Sequence, residues 1–315
     1  MVPLLIASPL YGGVIADGGA PPHHQPEVLT TANALPLVNI CAPDRTGISY
    51  NQFHYFDVDA RGVILNNVRT VSQTELDGPV DANPQLTREA TLIINEVTQP
   101  HPSLLDGFIE VAGQRADVII ANPVGISGCG FINVRAGTLT TGHPRSEEGQ
   151  LQGFTVYGGQ IDIAGKGMHA ATTDAPRLIA HAVAVNAGLH SQSLNIVTGR
   201  NRVNLAGDVT GTFAAAQDEK PAYALDVAAL GGGMYAHKIV MVGTEQGVGV
   251  RNAGELSLSV AGRLENRVSL QSQDTLALAG EGDVINAGRL NTRSNSVLSA
   301  ATLFNSGTLR GARGR

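Results

Sequence analysis

The chain has 315 residues, 21 of them basic and 27 acidic, and a formal net charge of −6, which argues against a general nucleic-acid binder with its basic field. Charged residues make up 15%, against roughly 25% in an average globular protein, and there are 38 glycines and no tryptophan. Two cysteines, Cys41 and Cys129, exclude a disulfide scaffold, and a 43% hydrophobic content excludes disorder of the whole chain.

Low charge, much glycine and short β-branched runs predict an all-β chain with frequent tight turns. Residues 1–19 are apolar but lack a basic leader, and no stretch reaches the roughly 18 apolar residues of a membrane helix. Segment 6–13 (IASPLYGG) reads either as the end of a truncated signal peptide or as a short disordered terminus. Residues 18–26 (GGAPPHHQP) have linker composition, and His23-His24, with no acidic or cysteine cluster nearby, read as polar linker rather than metal ligands. The first strands are expected within 27–40. FHYFDV (53–58) alternates apolar and polar residues, and GVILNN (62–67) is a second short strand. The chain is polar from 70 to 90, with a turn at Asn83-Pro84-Gln85-Leu86. LIINEVT (92–98) suits a strand or a short helix, and Pro100 and Pro102 then break it.

Strands at 108–111 and 118–120 lead into the stretch 112–142, AGQRADVIIANPVGISGCGFINVRAGTLTTG, where apolar runs alternate with turn signals. Asn122-Pro123-Val124-Gly125 has the residue order of a type I turn. At both Asn-Pro pairs the asparagine side chain is placed to close a turn onto the backbone two residues on, while proline fixes its own φ. Beyond 142, FTVYGG (154–159), IDIAGKG (161–167), LNIVTG (194–199) and VNLAGDV (203–209) are short strands closed by glycine. Residues 176–188 have a mixed pattern that admits a short helical turn, and 210–221 read as a loop. MYAHKIVMV (234–242) and GVGVRN (247–252) resume the strands. The tail repeats: asparagines stand at 252, 266, 286 and 305, the last two intervals being 20 and 19 residues. Such a period with short strands predicts a solenoid whose coils each contact only their neighbours, with asparagines bonded from coil to coil. The alternative is a meander of antiparallel hairpins.

Catalytic patterns fail in detail. Residues 158–167 lack the spacing and the terminal Ser or Thr of a phosphate loop, 125–129 miss the last glycine of a nucleophile elbow, and 247–249 lack the third glycine of a dinucleotide loop. The nine histidines are scattered. Asp57 and Asp59 read as solvated or turn-bonding, as do Asp77 and Asp81. No cofactor, metal or catalytic residue is predicted.

ANPVGI, GFIN and TLTTG (within 121–142) resemble the corresponding stretch of filamentous haemagglutinin-type exoproteins, the secreted partners of bacterial two-partner secretion systems. The likeness continues through ISYNQFHYFDVDARGVILNN, ANPQL, LIINEVT and GFIEVAGQRADVIIANP in the same order. Two positions depart from the family pattern, Gln85 and Val124, each standing where the family has asparagine. Some members of the family carry a cysteine pair after the second motif; here the nearby partner is missing, so Cys129 is expected as a buried free thiol rather than bridged to Cys41.

The resemblance implies a right-handed parallel β-helix with small capping and extra-helical strands. It divides the chain into a signal remnant and linker (1–26), a two-partner secretion domain (27–254) and the first β-helical repeats (255–315). It implies an N-terminal secretion and assembly domain of an adhesin or a contact-dependent growth-inhibition toxin, secreted or on the surface of a Gram-negative bacterium after passing the periplasm. The implied partner is an outer-membrane transporter with periplasmic repeat domains. Glycans or receptors of other cells would be met by the downstream region. The expected recognition motifs are Asn83, Pro84, Gln85, Leu86 and Asn122, Pro123, Val124, Gly125, Ile126; the bland alternative is that these turns only round coil corners. Two rival functions remain. A β-helical polysaccharide enzyme needs carboxylates clustered on one solenoid face, and a carbohydrate-binding adhesin needs an exposed aromatic platform.

Overall fold

A computed structural model describes residues 13–147, 150–174, 176–214, 220–227, 233–245, 250–252, 256–266, 269–272, 276–280, 283–292 and 296–311. The described chain is almost entirely β-strand, with one short 3-10 turn at Pro22–His24. It forms a parallel β-helix of three sheets.

The first sheet stacks Ile48–Phe56, Leu92–Val97, Ala116–Ala121, Val134–Thr140, Arg177–Ala180 and Ser193–Thr198, all parallel, and continues into the tail. The second runs from Pro36–Asn39 through Val63–Asn67 into the later half of Ser103–Gly113. The third starts in the earlier half of that strand and continues through Gly125–Ile132, Gln160–Ile163 and Ala182–Val185. LIINEVT is therefore strand, and 176–188, whose mixed pattern admits a short helical turn, is two strands meeting at a corner near His181.

One inward column of the first sheet can be followed along the axis. It reads Asn51, Asn95, Ile120, Leu139, Leu178, Ile196, Met241, Asn266, Asn286, Asn305. The aliphatic members are at most 2% exposed and belong to a single continuous core. Each such side chain contributes about 1.5–3 kcal/mol by leaving water. In the tail, Asn266 Nδ2 donates to Asn286 Oδ1 at 2.7 Å, and Asn286 Nδ2 to Asn305 Oδ1 at 2.6 Å. The 20- and 19-residue intervals are thus the coil period. Asn252 does not belong to this ladder: it ends a strand of the third sheet, opposite Val227 and Ser272.

The outer face of the first sheet is also buried. Ile94, Ile119, Ala121, Ile179 and Val197 pack against Phe154, Val156 and Val203 of a second layer. That layer is a separate four-stranded antiparallel sheet of His143–Glu147, Gln150–Thr155, Asn201–Asn204 and Val209–Thr212. The uninterrupted run Val118-Ile119-Ile120 follows from burial on both faces. FTVYGG and VNLAGDV, expected as short strands, contribute to this extra-helical sheet. Within the loop expected at 210–221, the strand Val209–Thr212 reaches in, and 215–219 lie outside the described residues.

A hairpin, Ser72–Thr74 with Gly78–Val80, covers part of the second sheet. Glu110 holds it by accepting from the backbone of Glu75 (2.7 Å) and Leu76 (2.9 Å). Burial pushes the Glu110 carboxyl above its ordinary pKa, against these bonds. At the N-terminal end Val14–Ala16 pairs antiparallel with Ile48–Phe56. The segment before residue 27 is therefore tied into the sheet from Val14 onward; residues 1–12, read as a signal remnant, lie outside the described residues. Asp17 accepts from Thr98 Oγ1 (2.7 Å) and Gly19 N (2.8 Å), and the Thr98 bond holds its carboxyl below the usual range.

Cys41 is free and 1% exposed; its N–H donates to Asn51 Oδ1 at 2.9 Å, and burial pushes its thiol up to about 12. The expectation for Cys129 falls on a side chain outside the described set. Asp57, read as solvated or turn-bonding, is 6% exposed and accepts from Leu104 N at 3.0 Å. Asp59 does close a turn, accepting from Arg61 N at 2.9 Å.

Candidate functional site

The two Asn-Pro segments sit at corners where the chain leaves one coil face for another. At the first, Asn83 Oδ1 accepts from Gln85 N (2.9 Å), and Leu86 N donates to Asn83 O (3.2 Å). The side-chain turn and the backbone turn therefore close together. The amide nitrogen points inward, donating to Ile40 O (2.9 Å) and Asn66 O (3.0 Å). Asn83 is 2% exposed, Pro84 is exposed, Gln85 is half-buried, and Leu86 packs on the main core.

At the second corner Asn122 Oδ1 accepts from Val124 N (3.1 Å), while Nδ2 donates to His101 O and Ser103 Oγ, both at 2.9 Å. Asn122 N donates to Thr140 O at 2.9 Å, binding the corner to the next coil. Asn122 is fully buried and Val124 is 43% exposed. Pro123 is half-buried, and Gly125 and Ile126 are buried as they enter the third sheet opposite Gln160 and Ile161. A Cβ on Gly125 would stand 3.0 Å from Gln160 O, so that position is tight.

The two corners share no hydrogen-bond partner; each is an independent device with a buried amide and an exposed outer edge, at Pro84 and at Val124. Their chemistry is that of holding backbone: the groups engaged are amides, carbonyls and one hydroxyl. Among the described residues no group of three or more His, Cys, Asp or Glu is placed to hold a metal ion. No helix among them is long and apolar enough to cross a membrane.

Sequence reasoning singled out two asparagines and missed others of the same kind. Asn67 donates to Ala90 O and Gln114 O and accepts from Ala90 N. Asn133, at φ 55°, donates to Val111 O and Gly113 O. The signal was present in the asparagine closing GVILNN and in GFIN, since asparagine tolerates positive φ better than most residues.

Residues 12–268 match the TPS secretion domain family. The chain belongs to the TPS secretion domain family. Similar proteins include Toxin CdiA of Yersinia pestis, 48% identical over 293 residues, and tRNA nuclease CdiA of Escherichia coli (strain NC101), 42% identical over 290. These alignments cover 90% and 86% of this chain but 9% of each relative, so the chain spans about a tenth of their length. The crystal structure of a filamentous hemagglutinin secretion domain superposes with a TM-score of 0.74 at 31% identity, covering 95% of this chain and all of that one. The domain is thus a β-helical secretion domain of the kind carried by haemagglutinin-like and CdiA exoproteins, which are secreted or cell-surface proteins of Gram-negative bacteria.

Proposed function

We propose that this TPS domain is the N-terminal, non-catalytic secretion and assembly segment of a large exoprotein. An outer-membrane transporter reads it in the periplasm, and it folds at the cell surface as the template for later coils. The family description supports the secretion role, and the relatives' names favour a contact-dependent inhibition toxin over an adhesin as the parent protein. We propose further that the transporter reads the Asn-Pro corners. The observation that carries this reading is the closed side-chain turn at each corner, with Gln85 N on Asn83 and Val124 N on Asn122. A turn that closes over three or four residues can form before the coil does, so less order remains to be imposed on binding.

The buried amides shape the test. Replacing either asparagine removes several hydrogen bonds, more than the single turn bond of about 0.5–1.5 kcal/mol that the sequence alone suggested. Substitutions at the exposed edges separate recognition from folding. Pro84→Ala with Val124→Asp should lower secretion through the cognate transporter severalfold, with the urea midpoint of the refolded domain little changed. Unchanged secretion in that double variant, or loss only in proportion to stability in Asn83→Ala and Asn122→Ala, sinks the recognition reading and leaves the corners as folding devices.

A further inference from the structure

We propose that the outward face of the extra-helical sheet binds a carboxylated saccharide. This sheet contributes no strand to the coil stack. Its inner face is spent on the first sheet, with Phe154, Val156 and Val203 at most 1% exposed. Its outer face is a different surface. Strand register sets His143, Thr155 and Arg202 side by side in one row. Tyr157 and Phe213 stand at the end of that row. The His143 and Tyr157 ring centroids are 6.0 Å apart, those of Tyr157 and Phe213 are 5.6 Å apart and tilted by 34°, and the Arg202 guanidinium lies 4.8 Å from the Phe213 centroid.

Tyr157 is 52% exposed in a chain with 4% aromatic residues, and its backbone carbonyl is held by Arg200 Nε at 2.7 Å. The His143 and Tyr157 rings and the Arg202 guanidinium border a hollow of about 620 Å³, within the range of small-ligand sites. Arg145, paired with Glu147, closes its far side.

Each part has a use for a sugar acid. The ring faces of Tyr157 and Phe213 present electron-rich surfaces to the C–H face of a pyranose. The Arg202 guanidinium, oriented by its contact with Phe213, can offer two parallel N–H donors to a carboxylate. Glu147 and His143 supply polar partners for ring hydroxyls at the rim. An aromatic platform of the kind a saccharide-binding role requires is therefore present on the side sheet. This inference stands apart from the transporter reading, which concerns other residues.

Carboxylated sugars reach such a site from two sources: the octulosonate-bearing core of bacterial lipopolysaccharide, and sialylated glycans of animal cells. The test is titration of the 315-residue chain, followed by ligand-observed NMR and calorimetry, with a core oligosaccharide, with sialyllactose, with lactose, and with oligoglutamate. Binding of either carboxylated sugar over lactose is expected, and which of the two binds identifies the source. Tyr157→Ala and Phe213→Ser should each weaken it about ten-fold, and Arg202→Gln should remove the preference over lactose, each side chain accounting for about one decade of affinity. Thermal midpoints identify any variant that misfolds, and the remaining two then decide. The proposal fails if neither carboxylated sugar binds at about 1 mM, if lactose or oligoglutamate binds as tightly, or if the folded variants bind like the parent chain.

Discussion

In the N-terminal coils a buried asparagine is tied mostly to backbone groups; in the tail each is tied to the next asparagine. Asn83 and Asn122 reach carbonyls of segments up to 43 residues away, and each does so with a different set of partners. Asn266, Asn286 and Asn305 make one bond repeatedly, at the coil period. The first arrangement specifies a particular place in the chain, because no other corner offers the same carbonyls. The second specifies only that another coil follows. A β-helix that grows by adding equivalent coils needs a start that is not equivalent to anything else, and bonding of the first kind differs from corner to corner.

The largest test of this contrast is Asn122→Ala. It removes three side-chain hydrogen bonds and leaves buried groups at His101 and Ser103 without that partner, and about 3 kcal/mol of stability should be lost. The midpoint of urea unfolding measures it. A loss under about 1 kcal/mol would put the corner on a par with a surface turn. Asn95→Leu should act in the opposite direction. Asn95 occupies the same inward column as Ile120 and Leu139, yet neither of its amide atoms has a hydrogen-bond partner. An aliphatic residue there should stabilise by about 1–2 kcal/mol, as far as the column accepts its shape.

In the tail, Asn286→Ala should cost about 1 kcal/mol, whereas leucine at Asn266, Asn286 and Asn305 together should be nearly neutral, since donors and acceptors leave together. A triple variant much less stable than Asn286→Ala would show that the ladder sets register as well as satisfying itself. The smallest effect is on pH. The lowered pKa of Asp17 means that its contribution is present above the unfolded value near 3.9 and disappears as pH falls through the folded one. Glu110, with a raised pKa, has the opposite sign: its burial is least unfavourable below the unfolded value of about 4.3. Hydrogen-exchange protection, taken relative to the intrinsic exchange rate at each pH, should therefore fall between about pH 5 and about pH 3 more at Val14–Ala16 than in the Glu110-bound hairpin.

The parallel solenoid and its period were legible because the tail repeats its asparagines at 20 and 19 residues, and short β-branched strands leave few other folds open. Asn252 misled because spacing reports the interval between like residues and not which of three faces they occupy. The extra-helical sheet was not legible segment by segment. FTVYGG has the same glycine-closed form as LNIVTG, and what separates them is a partner some 50 residues away: Phe154 pairs with Val203. The strands at 176–188 were obscured by alanine and valine, which serve helix and strand alike over so short a run. At the corners, the turn bond two residues on was readable from Asn-Pro, but the inward half of each amide's bonding depends on coils that sequence does not place.

The burial of Cys41 provides the folded domain with a record of its own history. A thiol reacts as the thiolate, and raising its pKa from 9.0 to about 12 lowers that fraction about a thousand-fold at neutral pH, before any shielding by the surrounding coil is counted. An alkylating reagent therefore marks Cys41 only on chains it meets while the first coils are open. Peptide-resolved labelling, which distinguishes Cys41 from Cys129, would divide a secreted population into molecules that encountered the reagent before closure and molecules that encountered it after. A pulse of reagent on one side of the outer membrane would then time and locate the closing of the first coils without any engineered probe.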